Sequence, residues 1–126
     1  AMRRKAFMEL VLPVGHPEMH TAAMAQRLSG IVGHDIADAP PIVSEQISLM
    51  RKSDLSGRLA ELAGIPTLVV NGEKDRIARP ELGRALAAGI PGARYVEVAG
   101  AGHTLPVIDP ERCAELVLEH VDKLQG

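Results

Sequence analysis

Asp75 and His103, two side chains that often work as a pair, stand 28 residues apart in this chain of 126. Each lies just past a short apolar run: Asp75 in "NGEKDRIARP" after "IPTLVV", and His103 in "GAGHTLP" after "RYVEV". A histidine that serves as core packing has bulky neighbours. His103 instead follows small residues, and its glycines let the backbone turn sharply and leave the imidazole unpacked. A carboxylate that accepts from imidazole Nδ1–H fixes the tautomer and stabilises the imidazolium, leaving Nε2 as a general base. That is the acid–base half of a Ser-His-Asp triad. The chemistry requires both runs to be strands ending at one edge of a parallel sheet, where functional groups gather in α/β proteins.

The pattern of residues 65–126 supplies such strands. "IPTLVVNG" is a buried-strand run opened by Pro66 and closed by Asn-Gly. "RPELGRALAAGI" predicts a helix with Pro80 in its first turn and Leu82, Leu86 and Ile90 on one stripe. "PGARYVEVAG" alternates, with Tyr95 and Glu97 on one side and Val96 and Val98 on the other. "DPERCAELVLEHVDKLQ" predicts a closing helix with Asp109 as N-cap, Pro110 in the first turn, and Cys113, Val117, Val121 and Leu124 facing inward. A strand–helix–strand unit of this length implies parallel strands joined by a right-handed crossover.

Residues 2–64 have a different grammar, with helices only. "RRKAFMELVL" stops at Pro13, and "HPEMHTAAMAQRLSGIV" is expected to start near Pro17 and to pack through Met19, Ala23, Met24, Leu28 and Ile31. "VSEQISLMRKS" carries Val43, Ile47 and Met50 on one face. "DLSGRLAELAG" predicts a short helix capped by Asp54 and stopped by Gly64. With only Phe7 and Tyr95 as aromatics, the core must come from aliphatics and from Met2, Met8, Met19, Met24 and Met50, which suit gaps between helices.

Residues 65–121 resemble the C-terminal part of an α/β-hydrolase, of the lactonase, esterase and C–C-bond-hydrolase branch. In that family a "PTLVVxGexD" segment is the penultimate core strand ending in the triad acid, and a "GAGH" segment after the last strand supplies the triad histidine. The resemblance thus implies that Asp75 is the acid and His103 the base. It implies a partial α/β-hydrolase fold with two parallel strands in residues 65–126, and a helical cap-like region in residues 2–64. It also implies an acyl substrate, an ester or lactone rather than a peptide.

The same order of parts places a nucleophilic serine upstream of Asp75, in G-x-S-x-G on a sharp strand-to-helix turn. Ser29, Ser44, Ser48, Ser53 and Ser56 are upstream, yet none has small residues on both sides and none follows a strand. Cys113 lies after the histidine in a predicted helix, and no "HG" segment offers oxyanion-hole donors. The expectation is a chain that holds the acid and the base of a triad and is inactive alone. The alternative is a stand-alone, non-catalytic, dimeric α/β domain from a truncated hydrolase gene. Two parallel strands are few for a stable sheet, and the edge of strand 66–71 would expose unpaired backbone beside apolar side chains. A homodimer pairing these strands, the helical half folding back, or a complementing chain carrying the serine would cover it.

Other function classes find no support. A net charge of -2 gives no reason to expect nucleic acid, and the basic run Arg3-Arg4-Lys5 reads as a solvated terminus. No apolar run approaches a membrane span, no secretory signal pattern is present, and the single Cys113 fits a reducing compartment, so a cytoplasmic protein is expected. His16 and His20 are four apart, but Pro17 intervenes and displaces Glu18 from the zinc-protease spacing. His34 beside Asp35 reads as a loop pair, and His120 as a favourable charge near a helix end. No feature implies a metal or an organic cofactor.

Overall fold

The computed structural model describes residues 2–38 and 40–125, which divide into two compact units, Ala1–Leu55 and Ser56–Gly126. The first contains three helices: α1 (Met2–Val11), α2 (Ala22–Val32) and α3 (Pro41–Lys52). Its core is Met8, Val11, Leu12, Met24, Leu28 and Ile36, all buried. Met8 and Met24 fill gaps between helices as expected, whereas Met2 and Met50 are exposed. α2 starts later than Pro17 suggests. Residues 17–20 are turns, Glu18 N–H donates to His16 Nδ1, and Thr21 is the N-cap, its Oγ1 accepting from Met24 N–H at 3.2 Å. A hydroxyl that satisfies an orphan N–H fixes a helix start more firmly than a proline that merely tolerates one. Ala23 and Ile31 point outward on α2, and α3 buries no residue, so its Val43, Ile47 and Met50 face packs less than its periodicity predicts.

The second unit opens with a 3-10 helix, Ser56–Leu62, where the sequence predicts an α-helix; the bidentate Arg58–Glu61 pair braces it, and Gly64 ends it at φ +81°. Then follow β1 (Leu68–Gly72), α4 (Pro80–Gly89), β2 (Arg94–Val98), α5 (Leu105–Ile108) and α6 (Pro110–Gln125). β1 and β2 pair in parallel, Leu68 opposite Arg94 through Gly72 opposite Val98, and this is the one sheet among the described residues. Prolines stand in the first turn of α3, α4 and α5, where the missing N–H costs nothing. Asp109 caps α6 by accepting from Arg112 N–H at 3.0 Å.

Strand alternation puts a helix on each face of this sheet. Tyr95 and Glu97 face α4: the Tyr95 hydroxyl donates to Glu97 Oε2 at 2.9 Å with Pro80 O 3.3 Å away, and Arg84 pairs with Glu97 and lies over the Tyr95 ring. Arg94 on the opposite face pairs with Glu119 of α6 at 3.0 Å. Burial with Glu97 alongside pushes the Tyr95 phenol up, and the Arg94 hydrogen bond holds the Glu119 carboxyl below the usual range.

The helix faces differ from the predicted stripes. α4 buries Gly83, Ala87 and the following Ile90, while Leu82 and Leu86 are exposed. α6 buries Leu116; Cys113 is half-buried, and Val117, Val121 and Leu124 are exposed. Small residues permit the closest backbone approach: a Cβ at Gly83 would overlap the Asn71 amide oxygen, and one at Gly89 would stand 2.6 Å from Leu59 Cδ1 of the 3-10 helix. That second contact explains why the segment after residue 55 belongs to this unit. Among the described residues no helix is long and apolar enough to cross a membrane.

Candidate active site

The carboxyl ends of β1 and β2 carry the two residues singled out by type and spacing, and the structure brings them together. His103 Nδ1 lies 2.9 Å from Asp75 Oδ2. Asp75 is 7% exposed, whereas the His103 side chain is 41% exposed. An ionised carboxylate only accepts, so the contact assigns a proton to Nδ1, and the neutral imidazole then has Nε2 bare.

Backbone donors set the carboxylate. Asp75 Oδ1 accepts from Ile77 N–H at 2.8 Å and from Ala78 N–H at 2.9 Å, so the loop folds around the side chain as an Asx turn. With Oδ1 held twice, Oδ2 has one direction left to point. Asp75 N–H in turn donates to Gly72 O at 3.1 Å.

The loop that bears His103 is stitched to the loop that bears Asp75. Glu73 N–H donates to Val98 O at 3.0 Å, Lys74 N–H to Ala101 O at 2.8 Å, and Gly100 N–H to Glu73 Oε2 at 2.7 Å. Gly100 turns at φ +72°, a conformation glycine adopts without steric cost. Gly72 lets the backbones meet: a Cβ there would stand 2.5 Å from Ala101 O. After His103 the chain enters α5, with Leu105 buried and Thr104 O accepting from Val107 and Ile108 N–H. Sequence reasoning missed Asn71, Gly72, Glu73 and Gly83 as parts of this frame. "NG" at a strand end was the available signal, and it reads equally well as turn punctuation.

An open cleft of about 320 Å³ is lined by the pair together with the apolar Val70, Leu105, Cys113 and Val117. Burial, with Asp109 adding repulsion, pushes the Cys113 thiol up, away from the thiolate that a nucleophile needs. The serines of the first unit with hydrogen bonds to the backbone serve local structure: Ser29 Oγ accepts from Ile36 N–H, and Ser44 and Ser53 donate to carbonyls of their own helix. His34 Nδ1 contacts Asp35 O, and the Asp35 carboxylate instead holds Arg4, which keeps that carboxyl well below the usual range. His20 lies 4.0 Å from Glu9. Among the described residues no three His, Cys, Asp or Glu side chains are grouped to hold a metal ion.

A sheet with helices on both faces, ending in a buried aspartate that holds an exposed histidine, is the arrangement of one large class of hydrolases. The chain belongs to the α/β hydrolase family, whose pattern it matches over residues 1–116. It is 38% identical over 90 residues to the rhodomycin D methylesterase DnrP of Streptomyces peucetius, a match covering 70% of this chain and 29% of that protein. It is 39% identical over 59 residues to the pimeloyl-[acyl-carrier protein] methyl ester esterase of Stenotrophomonas maltophilia, covering 47% of this chain and 22% of that one. The chain therefore spans less than a third of the length of either relative. In fold it is similar to a thermophilic esterase from Thermogutta terrifontis (TM-score 0.73, 24% identity, 100% of this chain and 45% of that one). It is similar also to a bromoperoxidase from Bacillus anthracis (TM-score 0.75, 22% identity, 94% and 42%). The partial α/β-hydrolase fold, a helical half followed by strand–helix–strand–helix, is thus as the sequence implies.

Proposed function

We propose that this chain carries the acid and the general base of a serine hydrolase acting on acyl substrates of the ester or lactone type. The supporting observation is the 2.9 Å contact of His103 Nδ1, on a part-exposed imidazole, with a buried, doubly anchored Asp75. A serine Oγ placed against Nε2 gives up its proton as it attacks the acyl carbonyl. Nε2 passes that proton to the departing alkoxide, then takes one from the water that attacks the acyl-serine and returns it to the serine Oγ as the acid leaves. Asp75 stabilises the imidazolium throughout.

No G-x-S-x-G segment occurs in this sequence. A base without a nucleophile is worth about 10²–10⁴-fold at most, and missing oxyanion donors forgo about 2.7–4 kcal/mol more. The reading therefore holds the chain inactive on its own and active when a polypeptide bearing the serine pairs with the open side of β1. Residues 2–64 are in this reading the cap-like region, and no cofactor takes part. The purified chain should show no serine labelling by a fluorophosphonate. Coexpression with a G-x-S-x-G-bearing hydrolase half should restore labelling and ester hydrolysis, and Asp75→Asn should then lower kcat by about 10⁴-fold. Stoichiometric labelling of the chain alone, or a restored enzyme indifferent to Asp75, would sink the proposal.

A second reading is a non-catalytic homodimer. It is favoured by the unpaired side of β1 together with the exposed Val117 and Val121 of α6. A monomer by light scattering at tens-of-micromolar concentration excludes it.

A further inference from the structure

Asn71 is a polar residue inside β1 and yet is 7% exposed. Its amide nitrogen donates to Ala78 O at 2.7 Å, and Ala78 N–H donates to Asp75 Oδ1 at 2.9 Å. Both backbone polar groups of Ala78 are therefore committed, one to Asn71 and one to Asp75. The amide reaches this place because α4 presents Gly83 to it; any Cβ at that position would overlap the Asn71 oxygen, and would stand 3.2 Å from Tyr95 Cε2 as well. The slot is thus cut to the amide by a strand, a helix and a ring.

We infer that Asn71, seated over Gly83, is a positioning residue for the Asp75 carboxylate, acting through Ala78. The inference rests on Asp75 and His103 being the working acid and base. Without the Asn71 donor, Ala78 is held only by the carboxylate it is meant to hold. Oδ1 is then left with Ile77 N–H as its firm anchor, and the carboxylate can rotate so that Oδ2 leaves Nδ1. The geometry of Gly83 adds a second requirement: the helix must stay small there for the strand residue to stay in register with the loop.

Proton placement on His103 reads this out in the whole chain, without substrate. Ring-nitrogen shifts of the ¹⁵N-labelled protein are recorded at about pH 8.5, two units above an ordinary imidazole, and assigned by loss of signals in His103→Gln. The wild type should hold the proton on Nδ1, and Asp75→Asn should abolish that preference. If the wild type carries it on Nε2, the acid–base reading falls, and this inference with it. Asn71→Leu, the same size without the donor, should cut the Nδ1–H to Nε2–H ratio by about three- to tenfold, the range of one net hydrogen bond. Leu116→Ala, which weakens the same unit through its core, should leave the ratio at the wild-type value. A folded Asn71→Leu protein with the wild-type ratio overturns the inference while the acid–base reading stands, as does a Leu116→Ala ratio shifted equally. Should Asn71→Leu fail to fold, Gly83→Ala, which displaces the amide without removing it, carries the same expectation and the same refutation.

Discussion

Substituting Gly72 by alanine tests whether the close meeting of two backbones holds Asp75 and His103 together. The added Cβ would stand 2.5 Å from Ala101 O, 2.7 Å from Ala101 C and 2.8 Å from Gly102 O, all backbone atoms. Ordinary contact begins at 3.4 Å, so the loop must retreat by roughly an ångström. The Lys74 N–H to Ala101 O bond, now 2.8 Å, then passes beyond bonding distance. Overpacking of this kind costs about 1–3 kcal/mol, and one or two lost hydrogen bonds add about 1 kcal/mol each. Opposing them, alanine restricts the unfolded chain and returns about 0.4–1 kcal/mol. The steric term wins, and a net loss of about 2–4 kcal/mol is expected. Tyr95 is the sole tyrosine and there is no tryptophan, so tyrosine fluorescence during urea unfolding reports the second unit alone. The same variant should scramble the His103 tautomer, since Ala101 and Gly102 lead directly into the histidine. A Gly72→Ala protein within about 0.5 kcal/mol of wild type, with the tautomer unchanged, would refute the argument that this glycine is there for close approach.

Gly30 gives the opposite sign: it lies inside α2 with open space around it, so Gly30→Ala should stabilise the first unit by about 0.5–1 kcal/mol in circular-dichroism melts. Thr21→Ala removes the acceptor of Met24 N–H and should cost that unit about 1 kcal/mol in the same assay. Cys113, its thiol pushed up by burial first and by Asp109 second, should react with a disulfide reagent at about pH 8 more slowly than free cysteine does, the difference vanishing in urea. The Glu119 carboxyl is lowered by Arg94, so this pair stabilises the fold above the ordinary carboxylate value and the contribution is lost as pH falls through the lowered one. Arg94→Gln should accordingly flatten the decline in stability below about pH 4 followed by tyrosine fluorescence.

The parts that could be read in the sequence are those that one residue type fixes locally. Asp75 and His103 were legible because each follows a strand-like run, and parallel strands deliver their ends to one edge. The starts at Pro80 and Pro110 were legible because proline fits the first turn and little else in a helix, whereas α3 begins at Pro41, two residues before the stretch the sequence marks as helical. The inward faces of α4 and α6 were not. Periodicity follows the large side chains, Leu82 and Leu86 or Val117 and Val121, and these are exposed. Gly83 and Ala87 face the sheet instead, because Asn71 and Tyr95 occupy the space that larger residues of α4 would need. Asn71 itself was read as the end of a strand. Nothing in one sequence says that the partner of its amide is a carbonyl seven residues on.

The hydrogen bonds described above that orient the pair run between residues 71 and 103: Asn71 to Ala78, Ala78 and Ile77 to Asp75, Asp75 to His103, and the stitches from Glu73 and Lys74 to the loop at 98–101. The second unit thus contains the hydrogen bonds that would preorganise His103 for the general-base role proposed for it. A nucleophile brought to Nε2 meets an imidazole whose tautomer is already set, and no ordering cost is added at that step. For the same reason, substitutions in the first unit should leave the His103 tautomer untouched. A tautomer shift on truncating the buried Met24 would show instead that the frame of the pair extends beyond residues 71–103.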